Sequence, residues 1–307
     1  MTIFLFVITA LLIIVLAASF VVYRRFFYTP VKHQNDMGYL TVHHPFAVAM
    51  KDMTEEALKM ECEMVCIKSF DGLRLEGRYY ASSEKDAPTA LLFHGYRGVC
   101  LIDMAGVLPL FLSLGFNVLL VSERGCMGSG GHTVTFGIKE TEDALGWVGY
   151  VRKRNGENTG IYLMGISMGA HTVLNTADKL GCADVRGIIA DCPYTSSRAI
   201  IDKVLSSAHF PPRLLGWFVN LTTSLWGGFR LSRTGAVESV KKSSVPVLLI
   251  HGTGDRLVPF SMSEEIKAAS PSRVTLIPVK DAPHAQSFLY DREKYEKAVR
   301  DFVSSTR

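Results

Sequence analysis

The chain has 307 residues, 48% of them hydrophobic and 20% charged, with 26 Gly and 12 Pro. That is enough apolar chain for one large α/β domain or two small ones, and it excludes both a disulfide-stapled miniprotein and a disordered polypeptide. The 33 basic and 29 acidic residues leave a net charge of +4, of which Arg24, Arg25 and Lys32 against Asp36 supply +2 in the first fifty residues, so the rest lacks the concentrated basic face of a nucleic-acid binder.

Ile3 to Tyr23 carries no charge and is interrupted only by Thr9 and Ser19. About 20 such residues cross a bilayer as a helix, which predicts a transmembrane anchor over residues 1–23. Ala17 and Ser19 offer the small-x-small pattern of a cleaved leader, but the charged segment that precedes the apolar run of such a leader is missing. Positive charge follows the run at Arg24, Arg25 and Lys32, and the positive-inside rule then puts the bulk of the chain in the cytoplasm. Residues 24–50, with Pro30, Gly38 and Pro45, read as a juxtamembrane linker. His33, His43 and His44 within it have no cysteine or carboxylate cluster around them and suggest no metal site.

The soluble domain is expected over residues 51–307. Lys51 to Glu61 has helical spacing, and Glu63 to Phe70 and Leu73 to Ala81 flank Asp71-Gly72, a hairpin signal. Short apolar runs follow at Ala90–Phe93, Asn117–Val121, Ile161–Met164, Gly187–Ala190, Val245–Ile250 and Val274–Val279. Runs this apolar suit strands buried on both faces. Helical segments lie between them, such as Ile138–Arg154, whose Ala144, Leu145, Val148 and Val151 share a stripe. The alternation predicts an α/β fold with a mainly parallel central sheet and helices on both faces. Residues 198–244 break the alternation with Phe210, Trp217, Phe218, Trp226 and Phe229, and read as a small, lid-like helical insert. The competing reading is an ordinary sheet-covering helix on a long connection. The six cysteines, Cys62, Cys66, Cys100, Cys126, Cys182 and Cys192, form no disulfide framework; Cys62 and Cys66 lack the second pair a zinc site needs, and buried thiols are expected.

Gly165-Ile166-Ser167-Met168-Gly169 follows one apolar run and precedes a helical segment, Ala170–Leu180. A strand turning sharply into a helix presents its central serine at the sheet's edge, with a helix N-terminus behind it to favour negative charge. A serine hydroxyl needs a base oriented by a carboxylate, and sheets with such an elbow supply them in the order serine, acid, histidine. Asp255 leaves the run Val245–Ile250 and His284 leaves the next, so both stand at carboxyl ends of strands, where open α/β sheets build their sites. Asp281, three residues from His284, is the reserve acid. Oxyanion donors are expected from the Met168 amide and, in the loop His94-Gly95-Tyr96-Arg97-Gly98, from the Tyr96 amide. His94 itself reads as a structural residue of that loop.

Together these residues make the chain resemble the α/β-hydrolase superfamily from Glu61 to the C-terminus. The matches are His94-Gly95-Tyr96, Glu123-Arg124-Gly125 with Gly128-Ser129-Gly130, Gly165 to Gly169, Asp255-Arg256-Leu257-Val258-Pro259, and His284. Glu123 stands where the superfamily commonly has Asp. Asp191-Cys192-Pro193-Tyr194-Thr195-Ser196 resembles the corresponding loop of bacterial membrane-anchored hydrolases related to serine aminopeptidases and acyl-transferring thioesterases. The resemblance implies acyl transfer to water through an acyl-enzyme on Ser167, with no metal or organic cofactor; a dehalogenase would carry Asp at that position. The insert's Arg198, Lys203, Arg213, Arg230, Arg233, Lys241 and Lys242, against Asp202 and Glu238, disfavour a peptide ammonium. Its apolar residues suit a small-molecule or lipid acyl substrate. A peptidase or acyltransferase with the same triad, and a non-catalytic membrane-tethered binding domain, are the rival readings; oligomeric state is not legible.

Overall fold

The computed structural model describes residues 1–30, 47–84, 86–183, 185–232 and 235–307. Most of the expected linker, with Lys32, His33, Gly38, His43, His44 and Pro45, therefore lies outside the described residues, as does Arg233 of the insert.

Helix α1 (Thr2–Phe26) and helix α2 (Ala47–Lys59) precede the sheet. Eight strands follow: β1 (Glu63–Lys68), β2 (Arg74–Tyr80), β3 (Thr89–Phe93), β4 (Asn117–Val121), β5 (Ile161–Ile166), β6 (Gly187–Asp191), β7 (Val247–Gly252) and β8 (Val274–Val279). They form one sheet in the order β1-β2-β4-β3-β5-β6-β7-β8, antiparallel at β1–β2 and β2–β4 and parallel from β4 to β8. The apolar runs follow from this geometry, because successive side chains of a strand point to opposite faces and both faces are covered.

Leu92, Met164, Ile189 and Leu248 meet one helical layer, α3 (Cys100–Asp103), α4 (Val107–Ser113) and the C-terminal α12 (Arg292–Thr306), through Leu101, Leu108, Phe111, Tyr295 and Val299. Their neighbours Leu91, Leu163, Ile188 and Leu249 meet the other layer, α5 (Ile138–Asn155), α6 (Met168–Asn175), α9 (Ala236–Lys242) and α10 (Phe260–Ala269), through Trp147, Val148, Val173, Leu174, Val240 and Ile266. The short α11 (Ser287–Tyr290) precedes α12.

Three local expectations change. The β1–β2 connection spans Ser69 to Leu73 rather than the two residues Asp71-Gly72: the Ser69 amide donates to the Leu73 carbonyl at 2.8 Å, and the Leu73 amide donates to Ser69 Oγ at 2.7 Å. Asp71 is meanwhile drawn to Arg124, 2.9 Å away. Helix α6 ends at Asn175, short of Leu180, where the Thr176 hydroxyl donates back to the Val173 carbonyl at 2.7 Å. Finally, Cys100, Cys126 and Cys192 are buried, but Cys66 and Cys182 are exposed and Cys62 is half-buried. Cys66 lies on the outward face of the edge strand β1, whose opposite face buries Val65.

The insert divides in two. Helix α9 covers the sheet, with Ala236 and Val240 in the core. Helices α7 (Ser197–Ser207) and α8 (Pro212–Thr222), with a π turn at Thr223–Gly227, form a separate layer. Beneath it, Tyr23 and Phe27 of the α1 end join Ile200, Val219, Phe229, Tyr194 and Met168 in a third apolar cluster. Ser19, Tyr23 and Phe27, buried and four residues apart, make the stripe of α1 that faces this layer.

Candidate active site

Ser167 sits between β5 and α6 with φ 55° and ψ −108°, a backbone conformation that L residues rarely adopt. The flanking glycines make the turn possible. A Cβ on Gly165 would lie 2.2 Å from the carbonyl of Gly169, and one on Gly169 would lie 2.2 Å from the Phe93 carbonyl oxygen. The Ser167 amide donates to the Asp191 carbonyl at 2.8 Å and ties the elbow to β6.

The three residues expected to act together meet at the carboxyl ends of β5, β7 and β8. His284 Nε2 lies 2.8 Å from Ser167 Oγ, and His284 Nδ1 lies 2.7 Å from Asp255 Oδ2. Asp255 Oδ1 accepts from the amides of Leu257 and Val258, both at 2.9 Å. Burial raises the Asp255 carboxyl, but hydrogen bonds from His251 and His284 outweigh it and hold the group at about 2. The reserve acid, Asp281, uses its amide to donate to Thr253 Oγ1 at 2.9 Å, with φ 55°; the carboxylate bonded to His284 is that of Asp255.

His251 escaped sequence reasoning. It is fully buried on β7, with Nε2 3.2 Å from Asp255 Oδ2 and 3.0 Å from the Val258 carbonyl, and Nδ1 2.6 Å from Ser263 Oγ. Both neighbours of Nε2 are acceptors, so that nitrogen carries the proton, and Nδ1 accepts from the serine. His251 therefore shares Asp255 Oδ2 with His284 and helps to fix the carboxylate. Its spacing, four residues before the acid at the end of a strand, was the available signal.

The loop expected to give the second oxyanion donor runs beside the serine: a Cβ on Gly95 would stand 3.7 Å from Ser167 Cβ. Its support is a second residue that sequence reasoning missed. The Gly95 amide donates to Asp103 Oδ2 at 2.8 Å, and burial raises the Asp103 carboxyl while His94 and that amide pull it down. His94 Nδ1 lies 2.8 Å from the Gly95 carbonyl, and its Nε2 accepts from the Glu123 amide at 3.0 Å. Tyr96 and Arg97 reach the end of α1: Tyr96 Oη donates to the Phe26 carbonyl at 2.5 Å and Arg97 Nη2 to the Tyr28 carbonyl at 2.6 Å.

A cavity of about 330 Å³ opens beside Ser167 and His284, walled by Met53, Ile102, Val107, Phe288 and Leu289, with Asp103, Asp191 and Tyr295 also on its lining. Burial pushes Asp191 up to about 6. Donor atoms of Cys192, Asp255 and His284 converge within 4.8 Å, but burial keeps the Cys192 thiol well above its ordinary range, and the other two are engaged with each other. A metal would need the thiolate and would have to break that hydrogen bond.

The sequence profile of the X-Pro dipeptidyl-peptidase family, S15, matches residues 26–223. The chain is 28% identical over 260 residues to YqkD of Bacillus subtilis (strain 168), covering 83% of each protein. It is 25% identical over 233 residues to the lysophosphatidylserine lipase ABHD12 of Xenopus tropicalis, covering 71% of this chain and 58% of that protein. Among solved structures, an esterase of Pyrococcus furiosus superposes with a TM-score of 0.67 at 24% identity, over 83% of this chain and 93% of the other. Est1E from Butyrivibrio proteoclasticus, bound to ferulic acid, gives 0.62 at 20% identity, over 79% and 98%. The two structural likenesses share the fold.

Proposed function

Because the chain belongs to the X-Pro dipeptidyl-peptidase (S15) family within the α/β-hydrolase superfamily, we propose that it is a membrane-anchored serine hydrolase that cleaves a carboxylic ester through an acyl-enzyme on Ser167. The observation that carries the reading is the continuous chain of hydrogen bonds from Ser167 Oγ through His284 to Asp255. In the first half-reaction Ser167 Oγ attacks the ester carbonyl carbon and its proton passes to His284 Nε2; the tetrahedral oxyanion is held by the Met168 and Tyr96 amides. The intermediate collapses, the C–O bond breaks, and the alcohol leaves with the proton from His284. Water then repeats the sequence on the acyl-enzyme, and the acid departs as Ser167 regains its proton. Asp255 holds the imidazole in the tautomer that accepts the serine proton.

An ester with an apolar acyl group is favoured over a peptide by the walls of the cavity, Met53, Ile102, Val107, Phe288 and Leu289. A lipase among the relatives supports a lipid alcohol, and a thioester of the same acyl group would use the same geometry. The peptidase reading is favoured by the family match and by the Asp103 and Asp191 carboxyls on the cavity lining. Both carboxyls are raised by burial, however, and Asp103 already accepts from Gly95. Helix α1 serves as the anchor in this reading, and Arg24 and Arg25 on its C-terminal side support a cytoplasmic catalytic domain.

A substrate panel tests the reading: acyl esters of increasing chain length, lysophospholipids, the matching thioesters and X-Pro dipeptidyl amides, each with Ser167→Ala as control. Ester turnover lost in the control is expected. Turnover of the X-Pro amides exceeding that of every ester would instead favour the peptidase.

A further inference from the structure

The layer formed by α7, α8 and the π turn carries large apolar side chains that no described residue covers: Leu214 is 66% exposed, Trp217 61%, Phe210 53% and Leu225 51%. Leu214, Trp217 and Leu221 recur at helical spacing on one side of α8, while Gly216, Val219 and Thr222 on the other side are buried. This outer face is continuous with α1. Trp226 Nε1 donates to Ser19 Oγ at 2.9 Å, and the Trp226 ring meets Phe20 edge-on at 5.0 Å between centroids.

That contact fixes a depth. Arg24 and Arg25 mark the headgroup level at the end of α1, and Ser19 lies five residues earlier. At 1.5 Å per residue the Trp226 indole is therefore held about 7 Å inside the span. Interfacial apolar surfaces sit at this depth, about 5–10 Å into the boundary between headgroups and acyl chains, where tryptophan is enriched. A soluble partner or a second copy seated on the same face would have to share it with the lipid around α1. Arg213 and Arg230, exposed on the same layer, supply charge for lipid phosphates.

We propose that α8 and the π turn form a membrane-seated face, in which Leu214, Trp217, Leu225 and Trp226 enter the acyl-chain boundary beside α1. This rests on α1 being the membrane span. It adds a second point of attachment and fixes the orientation of the domain on the surface.

The test uses the full chain in phosphatidylcholine–phosphatidylglycerol vesicles brominated either near the headgroups or near the chain ends. The chain has three tryptophans, and Trp147 is fully buried in the core, so lipid quenching reports Trp217 and Trp226. Shallow bromolipids are expected to lower the emission about twofold, with deep ones weaker and aqueous acrylamide largely ineffective. The double variant Trp217→Phe/Trp226→Phe is expected to lose the lipid quenching. Acrylamide quenching without bromolipid quenching, in wild-type protein that stays with the vesicles through a carbonate wash, would overturn the proposal and leave the anchor standing. Release of the protein by carbonate would overturn the anchor reading and the proposal with it.

Discussion

Asp255→Asn removes a charge while keeping the shape of the side chain, and the surrounding hydrogen bonds dictate how the amide must sit. The Oδ1 position accepts from the Leu257 and Val258 amides, so the asparagine oxygen has to occupy it. Its NH₂ then takes the Oδ2 position, 2.7 Å from His284 Nδ1, while the His251 Nε2 proton, 3.2 Å from that position, is left to the Val258 carbonyl at 3.0 Å. A donor there makes Nδ1 an acceptor and moves the imidazole proton to Nε2, which faces Ser167 Oγ at 2.8 Å. The base would then point a proton at the hydroxyl it has to deprotonate. A triad with this tautomer loses about 10,000-fold in kcat, or about 5 kcal/mol of transition-state stabilisation. The assay is kcat and KM on a chromogenic short-chain ester in detergent, with near-ultraviolet circular dichroism to establish a native fold. The loss should fall on kcat with KM nearly unchanged. A folded variant within about tenfold of wild-type kcat would refute the assigned role of Asp255.

The other expectations are simpler. Gly169→Ala should cost at least about 3 kcal/mol in urea denaturation in micelles, because the added methyl meets two backbone carbonyls, 2.2 Å from Phe93 O and 2.6 Å from His94 O, that cannot rotate away; a cost below about 1 kcal/mol would mean that the elbow is looser than described. A chain lacking residues 1–28 loses the carbonyl partners of Tyr96 and Arg97 and the Tyr23 and Phe27 side chains. Its kcat/KM on a soluble ester should fall about tenfold or more, since the two hydrogen bonds holding the Tyr96-Arg97 loop are worth about 1–3 kcal/mol; undiminished activity would dissociate the loop from α1. Asp191 has its folded pKa raised to about 6 from 3.8, so the native state holds the extra proton and stability falls as pH rises from about 4 to 6. Asp191→Asn should remove that fall and gain on wild type by about 3 kcal/mol between pH 4 and 7. Parallel pH profiles for the two proteins would contradict the assignment. The depressed Asp255 has the opposite sign, its contribution being lost as pH drops from 3.8 towards about 2.

The central strands β3 to β7 were legible because they are buried on both faces: in Leu91-Leu92 or Ile188-Ile189 each neighbour fills a different core. Ser167 stood out through the two glycines that its strained turn demands, and Asp255 and His284 through chain order. Contacts made across the fold left weaker traces. His251 looks like one more strand residue until Ser263 and Val258 are seen to fix its tautomer. Asp103 lies in a four-residue helix that no periodicity detects. The hairpin around Asp71-Gly72 was legible, but its five-residue turn was not, because the turn is closed by the Ser69 and Leu73 hydrogen bonds. Above all, the packing of α1 on the layer above the site depends on Trp226 meeting Ser19 across 207 residues. The apolar run predicts a span and says nothing about what one face of it touches.

The proposed reaction passes through a covalent acyl-enzyme on Ser167. Its most direct measurement is intact-mass spectrometry of the full-length protein, mixed with a long-chain p-nitrophenyl ester and quenched in acid within milliseconds to seconds, followed by peptide mapping. A mass increase equal to the acyl group minus one hydrogen is expected on the peptide containing Ser167, appearing with the burst of p-nitrophenol and absent from Ser167→Ala. Turnover of the same ester with no adduct on that peptide, or an adduct that persists in Ser167→Ala, would contradict it.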